Sequence, residues 1–139
     1  TLNNKDDLFK WYSTLSFNNA GSSGHDATGE AICTGFDSAN PSSYCNTQAY
    51  VDRMNADSHC GLTNWVMPTR QELTSIVHYG EVEPAIDVLY FKNTSTAVYW
   101  SGTPSSASDF AWATNFNYGG SAKQNKQDAL RVRLVNHGF

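Results

Sequence analysis

The sequence predicts an α+β fold, with two short helices against a curved, mainly antiparallel sheet. Three observations carry that expectation. Thr69 and Glu72 form a T-x-x-E capping box ahead of apolar residues at helical spacing. Three strand-like runs, 97–101, 110–117 and 129–136, crowd the C-terminal third. In the last run Leu130, Val132 and Leu134 alternate with Arg131, Arg133 and Val135, the period of a strand with one face in a core. The 139 residues fit one domain, 1–139, able to bury roughly two thirds of its unfolded surface without help from a metal.

Taken in chain order, residues 5–15 carry Leu8, Phe9, Trp11, Tyr12 and Leu15, a pattern that suits a helix or an aromatic-rich strand. Residues 16–43 are rich in Gly, Ser and Asn with little apolar periodicity, which predicts a long surface loop. Asn46 or Thr47 caps a helix ending near Asn55, with Tyr50, Val51 and Met54 turned inwards. The run Cys60 to Gly80 then reads as strand, sharp turn and short helix. Pro68 holds Met67 extended, the helix begins at Arg70, Leu73, Ile76 and Val77 form its buried stripe, and Gly80 stands where a left-handed cap is wanted. Glu83-Pro84 marks a turn, and Tyr118-Gly119-Gly120-Ser121 supplies turn chemistry between the last two strands.

Three cysteines, Cys33, Cys45 and Cys60, leave one thiol over if one bridge forms. A helix from Asn46 to Ala56 is about 15 Å long, far more than the roughly 6 Å between Cα atoms that a disulfide tolerates. Cys33 with Cys45 is therefore the first choice, and the other pairings stay open. A zinc reading is poor, since there is no C-x-x-C and His59 is merely adjacent to Cys60. No run of about 18 apolar residues predicts a membrane span. The first residue is Thr1, and no charged-then-apolar leader is visible, so a fragment or processed product is expected.

Charge is unevenly spread. Residues 1–91 hold four basic and eleven acidic groups, net −7, whereas residues 92–139 hold five basic and two acidic, net +3. Beyond a Debye length of about 8 Å the local field matters and the overall charge of −4 does not, so a cationic C-terminal third still attracts a polyanion. Charged residues are only 16% of the chain, and solubility rests on Asn, Ser, Thr and Gly.

The pattern Cys60-Gly61, a polar pair, Trp65, an apolar residue before Pro68-Thr69, then Glu72-Leu73 resembles the C-terminal domain family of the Legionella collagen-like protein (Lcl). The resemblance runs from about Cys45 to Val135 through Pro84-Ala85-Ile86-Asp87, Tyr90-Phe91, Tyr99-Trp100-Ser101, Ala111-Trp112 and Val132-Arg133-Leu134-Val135. It implies a C-type-lectin-like variant of the fold and a strand at 9–13. It further implies a secreted or cell-surface adhesin domain that trimerises and binds sulfated glycosaminoglycans on host cells through a cationic outer surface, with a divalent cation such as Ca²⁺ taking part in self-aggregation. This chain has Val66 where the family usually shows Arg and Gly102 where it often shows Ser, so no role is carried over to position 66.

Lys92, Lys123, Lys126, Arg131 and Arg133 are the candidate contacts for sulfate. Arginine offers a planar fork and lysine a point charge. Composition alone favours a solvated strand face, and the resemblance reverses that preference. Tyr118, on a Gly-rich turn, is the candidate for stacking on sugar, while Trp65, Trp100 and Trp112 read as packing. Asp26, Glu30 and Asp37 are weak candidates for Ca²⁺, with Glu81, Glu83 and Asp87 a second acidic group, and solvated carboxylates are the simpler reading. His25, His59, His78 and His137 have no nucleophile in a recognisable motif, so no enzyme is expected. No nucleic-acid recognition motif accompanies the basic residues. The competing expectations are a trimerisation or display module without its own ligand, and a Ca²⁺-dependent lectin for neutral sugars.

Overall fold

The computed structural model describes residues 7–15, 19–58, 61–75, 98–116 and 120–136. After a single 3₁₀ turn at Pro41–Ser43 come α1 (Thr47–Ala56), β1 (Trp65–Val66), α2 (Arg70–Ser75), β2 (Val98–Pro104), β3 (Phe110–Asn115), β4 (Gly120–Asn125) and β5 (Val135–Asn136). The strands form an antiparallel β2-β3-β4 sheet and a β1-β5 pair. The α+β class is therefore as the sequence predicts.

Both helices start where local chemistry requires. The Asn46 side chain accepts from the Ala49 N–H at 2.7 Å, capping α1. The capping box of α2 closes reciprocally, with the Glu72 N–H donating to Thr69 Oγ1 at 3.1 Å and the Thr69 N–H donating to Glu72 Oε1 at 2.9 Å. Tyr50 and Met54 are buried on the inner face of α1, but Val51 is only half-buried, correcting its inward assignment.

The C-terminal run departs from expectation in a way that matters for function. Residues 129–136 do not make one exposed strand. Leu130 pairs antiparallel with Phe9, and Arg131 pairs parallel with Tyr99, so the segment threads between the N-terminal residues and β2 before ending in β5. Its backbone is claimed from both sides: the Phe9 N–H donates to Leu130 O at 2.7 Å and the Trp100 N–H to Arg131 O at 2.9 Å. Phe9 to Tyr12 is extended, as the resemblance implies, but through isolated bridges. A further strand, β4, occupies residues assigned to turn and loop, because full pairing with β3 supplies what its own propensities lack.

The core has two buried clusters. One joins Phe9, Ala27, Cys45, Tyr50 and Met54, and the other Trp11, Trp100, Ala111 and Ala113; Val132 packs against both. Ala27 is 3% exposed, and Ile32, Cys33 and Phe36 pack on the first cluster, so the segment read as a surface loop in fact closes that core. The Cys33–Cys45 disulfide, the first choice above, forms with 5.6 Å between Cα atoms. Arg53 braces the bridged segment by donating to Ser42 O and Tyr44 O at 2.8 and 2.9 Å.

Candidate functional site

An irregularity in β2 builds the most distinctive surface feature. Between Trp100 and Pro104 the register against β3 shifts, so the chain from Ser101 to Thr103 bulges out of the ladder. Ser101 Oγ donates to Trp112 O at 2.6 Å and fixes the bulge to β3. Gly102 then approaches the β1–α2 connection so closely that its N–H reaches Pro68 O at 2.7 Å. Thr103 Oγ1 accepts the Arg70 N–H at 2.9 Å. The bulge thus docks the first residue of α2 against the sheet.

Docked there, Arg70 places its guanidinium carbon 3.6 Å from the centroid of Trp112. Lys123 is the direct cross-strand partner of Trp112 and brings Nζ to 5.7 Å from the same ring. Arg70 and Trp112 are half-buried, while Lys123 is exposed. Among the described residues no carboxylate pairs with either cation, and no acceptor takes the Arg70 guanidinium. Helix, middle strand and outer strand therefore converge on one indole with two positive charges. Trp112 is less a packing residue than expected, while Thr114 and Phe116 on its face are fully buried.

The basic residues named from sequence separate into distinct environments. Lys126 is a correction: it is 0% exposed, because its ammonium is taken by three carbonyls, Asn19 O and Ser22 O at 2.8 Å and Ser108 O at 2.5 Å. It lies 4.4 Å from the Trp11 ring centroid. Burial lowers its pKa, opposed by the field of Asp109. This lysine is a pin between segments and not a surface contact. Arg131 and Arg133 are half-buried in the central segment, and burial lowers the Arg133 pKa against the opposing influence of Tyr99. Lys123 stands outermost. Lys92 and Tyr118 lie outside the described residues, as do His59, Cys60, His78, Glu81, Glu83, Asp87 and His137.

The weak Ca²⁺ candidates have separate duties. Asp26 accepts from the Thr28 N–H and hydroxyl, Glu30 pairs with Lys10 at 2.6 Å, and Asp37 accepts the Ala39 N–H. Among the described residues no three His, Cys, Asp or Glu side chains gather to hold a metal. Trp65 and Trp100 are structural: Trp65 packs on the first cluster and Trp100 Nε1 donates to Phe9 O at 2.8 Å within the core. An open groove of about 710 Å³ runs between residues 11–15, the flank of α1 and the bulge, walled by Trp11, Tyr12, Leu15, Val51, Met67 and Pro104.

Sequence reasoning missed Arg70 because it was read only as the first residue of a helix. A signal was present in the strand pairing, since aligning 110–115 against 120–125 would have placed Lys123 opposite Trp112.

The fold and site define a disulfide-braced α+β domain whose outer strand carries one exposed cation, Lys123, beside the Arg70–Trp112 contact. The family is shown directly. Residues 5–136 match the model of the Lcl C-terminal domain, and the chain belongs to that family. No curated protein and no solved structure gives a significant match. No helix among the described residues is long and apolar enough to cross a membrane.

Proposed function

We propose that this domain is the ligand-binding end of an extracellular, surface-displayed adhesin and captures sulfated glycosaminoglycans as a trimer. Membership of the Lcl C-terminal family supports the adhesin class. The observation that carries the ligand class is Lys123, an exposed cation on the outer strand without a carboxylate partner among the described residues, on the positively charged part of an otherwise acidic chain. Arg131 and Arg133 add to the same field. The Cys33–Cys45 disulfide fits an oxidising, exported setting.

The mechanism is counterion release multiplied by valency. Each Lys or Arg contact with sulfate is weak and screened, and three copies held together raise avidity without new contacts. Catalysis has no part in this reading.

Retention of the purified domain on heparin, on chemically desulfated heparin and on neutral dextran, with sedimentation run in parallel, tests the proposal. Retention by heparin alone, by a trimeric species, is expected. Equal retention on the desulfated resin overturns the sulfate reading. A trimer that ignores every resin establishes the display module, and retention abolished by EDTA establishes the Ca²⁺-dependent lectin.

A further inference from the structure

We propose that Arg70, Trp112 and Lys123 form a clamp for a single sulfate half-ester, the directional contact within the broader cationic surface; this rests on the sulfated-polysaccharide reading above. The clamp uses a residue from outside the basic C-terminal third and gives the ligand a defined seat rather than a diffuse field.

Conformational entropy favours a cation that is ordered before its ligand arrives. A solvent-exposed arginine samples many rotamers, and ordering it on binding carries an entropic cost. Here the order is already in place, because the guanidinium lies 3.6 Å from the Trp112 ring centroid and its backbone N–H is fixed on Thr103 Oγ1. Contact through the face of a guanidinium leaves its in-plane N–H donors available, and those match two oxygens of a sulfate. No described residue occupies those donors. Lys123, held opposite Trp112 by the β3–β4 register, adds a second charge on the same ring. Two cations sharing one indole repel each other, and a bound anion relieves that repulsion. Trp112 acts as the rigid seat, and the β2 bulge as the device that brings helix and strand together.

A purely structural role is the competing explanation, since a cation over an indole also fastens α2 to β3. The two differ in what an anion does. In a ¹H–¹⁵N titration with sucrose octasulfate, with the Trp112 indole signal assigned by its loss in Trp112→Phe, that signal should shift saturably. The indoles of Trp11 and Trp100, whose N–H groups donate to Ser101 O and Phe9 O in the core, should stay put. Arg70→Lys keeps the charge and loses the fork, so octasulfate affinity should fall roughly tenfold with little change in melting temperature. Lys123→Gln should weaken binding less, and heparin elution of both variants should move to lower salt. If Arg70→Lys lowers the melting temperature while affinity is unchanged, the contact only fastens the helix and the clamp is overturned. If heparin is retained but the Trp112 signal does not move, sulfate docks elsewhere and only the wider reading survives. If wild-type protein binds neither probe, both proposals fail together.

Discussion

Lys126 shows how a single residue changes the meaning of a charged sequence. Lysine is almost never fully buried unless paired, so its place in a polar-looking run argued for solvent. Three carbonyl groups and the Trp11 face replace its water instead, tying the residues around 19–22 to the turn at Ser108. Lys126→Met should therefore cost at least about 2 kcal/mol in urea denaturation, because three buried acceptors lose their donor together. Mild amine acylation should label Lys123 and spare Lys126 in the native state. Gly102 makes a sharper case. A Cβ there would sit 2.9 Å from Met67 Cβ, so Gly102→Ala forces the β1–α2 connection outwards, with an expected loss of about 1–3 kcal/mol by thermal melting. Tyr50 gives a pH signature. Burial first, and Asp7 second, push its pKa up to about 12 against the opposing pull of Arg53. The neutral phenol is the form the fold favours, so the associated stability is complete below the ordinary value of 10.0 and is lost as pH rises through about 12. Tyrosinate absorbance should show a late-titrating component that Tyr50→Phe removes, and unfolding free energy should fall by about 2–3 kcal/mol across that window.

Among the elements, what was legible was what is decided locally. The T-x-x-E box and Asn46 announce both helices because their caps lie within four residues, and the reach of one helix argued against Cys45–Cys60, which made Cys33–Cys45 the first choice without excluding Cys33–Cys60. Thr69→Ala should accordingly destabilise by about 0.5–2 kcal/mol and loosen Arg70 from Trp112, read as a faster-exchanging Arg70 amide. What stayed hidden was decided by pairing. Gly120–Asn125 has poor strand propensity and is a strand because β3 lies beside it. The 130–136 segment does carry the predicted alternation, with Val132 and Leu134 packed inwards, but its neighbours on both sides leave its arginines half-buried. Arg70 over Trp112 needed knowledge of a bulge, which no periodicity in the sequence announces.

Across the whole molecule, charge is unevenly spread over a disulfide-braced scaffold. Much of the positive charge predicted for solvent is instead built into the fold, at Lys126 and in the central segment. Of the basic candidates among the described residues only Lys123 is exposed, with Arg70 half-buried beside it on Trp112 and Arg131 and Arg133 half-buried in the central segment. Fewer exposed cations per copy make multivalency more important, since each copy then releases few counterions and its contacts with sulfate are weakened by added salt. The most direct measurement is the dissociation constant for a heparin oligosaccharide across a series of salt concentrations, for the assembled protein. The account predicts a linear fall of log affinity with log salt, with a slope about one unit shallower per protomer in Lys123→Gln. An affinity that stays flat across the series, or a variant slope equal to the wild type, would contradict it.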